Sequence, residues 1–173
     1  MLGVLGCPNL PTSSGPRGAL FAAVEGRAEV YVGGSDTAQP VSVDDPRSLA
    51  DARLCESVES GHSDQSQSAE VADRLGITTE PYRIDSQCKY GAVARGDASI
   101  YLRLPTSAGY QEKIWDHAAG KFVVEQAGGR VTDVDGVPLD FSLGARLSGN
   151  AGVVATSGRF HDEVIEAVRA VRR

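Results

Sequence analysis

The sequence is poor in cysteine and lysine, and it has no long apolar run. Its three cysteines, Cys7, Cys55 and Cys88, are scattered and form no C-x-x-C pair. That spacing excludes a disulfide framework and a thiolate zinc site. It predicts reduced, mostly buried thiols in an intracellular, cytoplasmic protein. No stretch approaches the ~20 apolar residues of a membrane span, and no basic segment precedes an apolar one in the manner of a signal peptide. No membrane partner is expected. A basic excess is also missing: Lys and Arg total 17 against 23 Asp and Glu, a net charge of −6. That balance argues against a nucleic-acid polymer as the main partner. An anionic small molecule stays admissible, because a local cluster of cations can bind one. Only three of the basic residues are lysines, so each lysine is conspicuous.

What is present is enough for one ordinary domain: 173 residues, 41% of them hydrophobic. The chain opens at once on an apolar run, "MLGVLGCPNLP", followed by a turn-rich "TSSGPRG" and two further runs, "ALFAAVEG" and "RAEVYVGG". These three runs read as strands of an antiparallel sheet. Residues 33–51 are polar with two prolines and form a connector. Beyond it strands and helices alternate. "RLCESV", "YRID", "ASIYLRLP", "RVT" and "AGVVATS" read as strands. Helices are expected over 66–76, over 86–96 with Ser86 as its cap, from Trp115 towards Gln126, and at the C-terminus. In the third helix Trp115, Ala118, Ala119, Phe122, Val123 and Gln126 share one face by period. Such alternation argues an α/β layer. The expected fold is therefore a layered α/β type. Residues 1–48 would be the terminal strands and connector of an incomplete N-terminal antiparallel sheet, and residues 49–173 a C-terminal α/β domain. A bare leading sheet edge is a poor independent unit, so the chain reads as incomplete.

Several residues have chemistry to offer. Asp116, in "YQEKIWDHAAG", lies in the first turn of the predicted helix, where a carboxylate is favoured by the unpaired N–H groups. It is equally a candidate ligand for Mg²⁺, which is held by one or two carboxylates plus water and phosphate oxygens. On spacing alone the capping role is the simpler one. Strand alternation in "IYLRLP" puts Tyr101 and Arg103 on one face, with Ile100, Leu102 and Leu104 on the other. An arginine there can fork onto a phosphate or point to solvent. Lys89 follows Ser86 by three residues, so a hydroxyl, a cation and free N–H groups share one helical turn. A solvated lysine is the plainer alternative. His62, in "ESGHSDQS", occupies a loop after a strand, where ligand sites gather. A surface histidine is the commoner outcome. His117 and His161 are explained by their helix positions, and "DVDG" (133–136) is a turn without the ligand series of a calcium loop.

Taken together, "ESVESGHSDQS", "RIDSQCKYGAVARGDASIYLRLP", "YQEKIWDHAAGKFVVEQAGG" and "VTDVDGVPLDF" resemble the C-terminal half of 3'(2'),5'-bisphosphate nucleotidases. These are magnesium-dependent, lithium-sensitive members of the inositol-monophosphatase-like superfamily. The "WDHAAG…EQAGG" segment is the superfamily signature, whereas "SQCKY", "YLRLP" and "EKIWDH" point to the nucleotidase branch. The resemblance covers nearly the whole chain, the opening "GVLGCPNLP" included.

The resemblance implies a sugar-phosphatase type of fold. It also implies hydrolysis of 3'-phosphoadenosine 5'-phosphate to AMP and phosphate with Mg²⁺ as cofactor. Asp116 matches the family's C-terminal metal ligand. Ser86, Lys89, Arg103 and His62 match positions that contact the nucleotide. The family's remaining metal ligands come from a Glu-containing helix and an Asp-Pro-Ile-Asp-Gly-Thr loop, and neither pattern occurs in these 173 residues. The other carboxylates are therefore expected upstream, and this chain alone is expected to be inactive. The competing expectation is a non-catalytic module that binds AMP or phosphoadenosine.

Overall fold

A computed structural model of the chain describes residues 1–13, 15–58, 65–105, 107 and 109–172. The opening runs form a four-stranded antiparallel sheet in the order β1 (Leu2–Cys7), β2 (Ala19–Val24), β3 (Arg27–Val32) and β4 (Gln39–Pro40). The two-residue Glu25–Gly26 turn joins β2 to β3, pairing Val24 with Arg27, and Gly26 sits at φ +77°, which its missing Cβ permits. The Gly26 N–H donates to Gln126 Oε1 at 2.7 Å, tying the hairpin tip to a helix behind it. Period-two alternation points Leu5, Cys7, Phe21, Ala23, Ala28 and Val30 inward. The opposite face carries Leu2, Val4, Leu20 and Val24, all exposed. Strand β4 was not expected; it is two residues long and lies in the proline-containing connector.

The remaining elements build a five-stranded mixed sheet. Strands β5 (Leu54–Glu56), β6 (Tyr82–Arg83), β7 (Ile100–Arg103), β8 (Arg130–Thr132) and β9 (Val153–Thr156) take the order β6-β5-β7-β9-β8. Strand β5 runs parallel to β6 and β7, while β9 is antiparallel to β7 and β8. Helices α2 (Cys88–Ala94) and α3 (Ala118–Gln126) lie between the two sheets. Helices α1 (Gln65–Leu75) and α4 (His161–Val171) cover the far face of the second sheet. The result is four layers, sheet–helices–sheet–helices. No helix among the described residues is long and apolar enough to cross a membrane.

Strand β7 shows how the sequence sorts itself into these layers. Ile100, Leu102 and Leu104 pack with Val71 of α1 and Val164, Ile165 and Val168 of α4. Tyr101 faces the opposite way, into the core that α2, α3 and the first sheet share. The alternation read from "IYLRLP" is the one observed. That inter-sheet core joins Phe21 and Leu5 of the first sheet to Val153 and Ala155 of the second, so the segment before residue 48 shares a core with the rest of the chain. Gly91 permits the close approach: a Cβ there would lie 2.6 Å from Phe21 Cε2.

Two expected helix starts are corrected. The helix anticipated from Trp115 is broken at His117 (φ −130°), where a 3₁₀ turn, Ile114–Asp116, gives way to α3. The break rotates the turn off the screw of α3, so the period cannot be carried across it. Gly120, Val123, Val124 and Ala127 form the fully buried side, whereas Trp115 is 58% exposed and Ala118 is also exposed. Ser86 does not cap α2 in the usual extended conformation. It stands at φ +62°, the one non-glycine residue with positive φ among the described residues, and α2 begins two residues later. The expected stops Gly76 and Gly96, both at positive φ, lie just after α1 and α2.

Candidate active site

The N-terminal end of α2, the C-terminal end of β7 and the 3₁₀ turn before α3 converge on one open cleft of about 410 Å³. Ser86 and Lys89 enter from the first, Arg103 from the second and Asp116 from the third; Tyr90 and Tyr101 form its inner wall. A larger groove of about 590 Å³ runs along the β3–β4 edge. Its charged residues, Arg95 and Asp97, satisfy each other, and none of the candidate residues lines it.

Lys89 is not the solvated lysine that its helix position allowed. It is 6% exposed, donates from Nζ to Ser57 Oγ at 3.1 Å, and sits 5.4 Å from the centre of the Tyr101 ring. Burial pushes its pKa below that of an ordinary lysine, because a half-dry ammonium is costly. An arriving anion would offset that cost. The neighbouring loop is held from two sides: the Val58 N–H donates to Asp85 Oδ1 at 2.9 Å, and the Cys88 N–H reaches Ser86 Oγ at 3.4 Å. A non-glycine residue held at positive φ beside a cleft is strain of the sort that sites retain.

Arg103 donates from Nε to Glu112 Oε1 at 3.1 Å and lies 5.9 Å from the centre of the Tyr110 ring. Glu112 is 4% exposed, and its second oxygen meets His117 Nε2 at 3.1 Å. The other nitrogen of that ring, Nδ1, meets the Tyr90 hydroxyl at 2.7 Å. Burial by itself would raise the Glu112 carboxyl, but the His117 hydrogen bond and the Arg103 charge outweigh it and hold the group below the usual range. With an ionised Glu112 accepting at Nε2, that nitrogen carries the proton, and Nδ1 accepts from Tyr90. The Tyr90 phenol, fully buried, is driven well above its ordinary pKa by burial and then by Tyr101 and Glu112. It stays a donor.

All three thiols are buried and free. Cys7, at the end of β1, and Cys88, at the start of α2, act on each other: that interaction, with a smaller contribution from Ser86 against the opposing effect of burial, lowers Cys88 to about 6 and raises Cys7. Burial pushes Cys55 up to about 12.

Of the five residues singled out from the sequence, Ser86, Lys89, Arg103 and Asp116 share the cleft. His62 lies outside the described residues. Glu112, Tyr90 and His117 were missed as site residues. Glu112 lies in the "YQEKIWDH" stretch, but no local period marks its two partners, Arg103 and His117. His117 was assigned to its helix position, whereas both its ring nitrogens are bonded within the cleft's wall. Asp116 is a half-buried carboxylate on the cleft, and among the described residues no hydrogen bond or ion pair occupies its side chain. It fits one ligand position of a magnesium ion. Glu112 does not, since both its oxygens are engaged. Among the described residues no cluster of three or more His, Cys, Asp or Glu could hold a metal ion.

The model of the inositol monophosphatase family matches residues 1–173. The chain belongs to the inositol monophosphatase family. Among curated relatives, the chain is 45% identical to a 3'(2'),5'-bisphosphate nucleotidase of Emericella nidulans, over 98% of this chain and 54% of the relative. For proteins of the same name the identity is 44% in Schizosaccharomyces pombe (99% and 51%) and 46% in Oryza sativa (98% and 50%). The chain spans about half the length of these relatives. Solved structures agree on the fold. Mycobacterium tuberculosis SuhB aligns with a TM-score of 0.62 at 20% identity, covering 88% of this chain and 55% of that one. An inositol monophosphatase of Thermotoga maritima aligns at 0.59 and 20%, covering 90% and 56%.

Proposed function

We propose that the cleft is the nucleotide-facing half of a magnesium-dependent 3'(2'),5'-bisphosphate nucleotidase site. The reaction is hydrolysis of 3'-phosphoadenosine 5'-phosphate to AMP and phosphate. The observation that carries this reading is the meeting of Lys89, Arg103 and Asp116, from three separate elements, in one cleft. The name shared by relatives at 44–46% identity supports the choice of substrate. Lys89 and Arg103 bind phosphate oxygens, the first as a point charge and the second through its planar fork. Ser86 offers a hydroxyl to the same ligand, and His62 a further contact. Asp116 would supply one carboxylate ligand to the metal. Magnesium held there would supply Lewis acidity towards phosphoryl oxygens and water.

One carboxylate cannot hold a metal pair against water, so this chain by itself binds nucleotide but does not turn it over. A second reading, a non-catalytic binding module for AMP or phosphoadenosine, is favoured by Asp116 being, among the described residues, the one unengaged carboxylate of the cleft, beside two cations. Calorimetry of the 173-residue chain with adenosine 3',5'-bisphosphate, with and without Mg²⁺, tests both, alongside an assay of phosphate release. Binding without release is the expected result. Magnesium-dependent release would overturn the claim of inactivity, and an absence of binding would overturn the nucleotide site itself.

A further inference from the structure

Glu112 is a buried acid beside a candidate metal ligand, and the obvious assignment would make it a second ligand. Its geometry says otherwise. Both carboxylate oxygens are spent, Oε1 on Arg103 Nε and Oε2 on His117 Nε2, each at 3.1 Å. Its backbone is pinned as well: the Leu147 N–H donates to the Glu112 carbonyl at 2.8 Å, Lys113 pairs with Arg146, and the Ile114 N–H donates to the Ala145 carbonyl at 3.2 Å. A carboxylate fixed at both ends is a reference point. Arg103, by contrast, is a long side chain for which Glu112 is the one hydrogen-bond partner among the described residues.

We infer that Glu112 is the positioning residue of the cleft: it holds Arg103 by Nε, so that the two Nη groups face the ligand, and anchors the Asp116 turn through His117. The chain of contacts continues from His117 Nδ1 to the hydroxyl of Tyr90, the residue next to Lys89 on α2. One acid thus couples the three elements that deliver the cation fork, the carboxylate and the lysine. An unrestrained arginine would sample many rotamers and lose that entropy on binding; a restrained one has lost it already. The consequence for ligand binding rests on the nucleotide reading, whereas the restraint on Arg103 does not.

The test uses the full chain as wild type, Glu112→Gln, Arg103→Met and the double variant. Proton–nitrogen spectra of the arginine Nε–H groups are recorded, together with calorimetry against adenosine 3',5'-bisphosphate. In the wild type one Nε–H exchanges slowly and stands apart from the solvent-averaged arginines, and its absence from Arg103→Met assigns it. Glu112→Gln returns that signal to the solvent-averaged position and weakens binding about tenfold, the scale of one charge-assisted hydrogen bond. In the Arg103→Met background the same change costs clearly less than in the wild type, because the share of its effect that runs through the arginine is already gone and only the share through His117 remains. A residue that merely supported the fold would lower the melting temperature and give additive losses. No protected Nε–H in the wild type, or an unshifted one in Glu112→Gln, overturns the inference, as does a full additive loss in the double variant. If the wild type binds no nucleotide, the functional reading fails while the Nε–H signal still decides the role of Glu112.

Discussion

The two faces of the second sheet each bury a histidine, and they use it in opposite ways. On the cleft side His117 joins the ionised Glu112 to the Tyr90 phenol. On the far side His161, the first residue of α4, bonds Thr132 Oγ1 and Thr156 Oγ1, each at 2.9 Å. Its partners are neutral hydroxyls of β8 and β9, so it clamps a helix to two strands. Burial, and to a lesser degree the charge of Arg130, lowers its pKa to about 4, with Asp162 opposing. The far face keeps its histidine uncharged. The cleft face collects Lys89, Arg103, Glu112 and Asp116. Buried charge is costly unless something compensates it: beside the cleft Lys89 and Glu112 carry it, whereas the His161 clamp holds its helix with neutral groups.

That contrast is open to direct attack. The largest expected effect is His161→Ala, which removes one of two hydrogen bonds from each of two buried threonine hydroxyls and opens a void. Stability should fall by about 3 kcal/mol. That corresponds to roughly 6–12 °C in thermal midpoint by calorimetry for a chain of this size. Nucleotide binding per folded molecule should be unchanged. Lys89→Met should do the reverse. Binding of adenosine 3',5'-bisphosphate should weaken at least tenfold, roughly the loss of one charged hydrogen bond. The thermal midpoint should hold or rise, because a partly desolvated ammonium is exchanged for an apolar chain of similar length. A large drop in midpoint would place Lys89 with the structural residues.

A third effect is pH-dependent. His161 has a folded pKa depressed to about 4 against an ordinary value of about 6.5. Between those values the unfolded chain binds the extra proton and the native chain does not, so stability falls as pH drops through that window. It is fully present above the unfolded value. Melting curves at pH 7, 5.5 and 4.5 should show this loss in the wild type and a shallower one in His161→Gln, which stays neutral. Equal slopes would mean that the His161 clamp admits a proton.

The alternation in "IYLRLP" was legible because a strand's period of two is a local property, and it sent Tyr101 one way and Leu102 the other. Ser86, Lys89, Arg103 and Asp116 were legible as candidates by type and spacing. Their meeting in one cleft was not, since it depends on how α2, β7 and the 3₁₀ turn pack. Glu112 and His117 escaped because their partners are side chains on other elements. The helix that was expected to begin at Trp115 failed for a related reason. Its interruption at His117 accompanies side-chain bonds to Glu112, just before the turn, and to Tyr90 on α2, which a local period does not report.

The first sheet teaches the complement. Its outward residues Leu2, Val4, Leu20 and Val24 are as apolar as its inward ones, yet only the inward set is covered in this structure. Composition and period determined by themselves most of the runs that form strands and helices (β4 and the starts of α2 and α3 excepted), where α1 and α2 stop, and which side chains could bind an anion. The tertiary structure alone decided which of the apolar faces are buried, that Lys89 is desolvated, and that Glu112 is engaged by two cleft residues. The division has one physical cause. Secondary-structure preference is written in neighbouring residues, whereas burial and charge pairing depend on groups that only packing brings within a few ångströms.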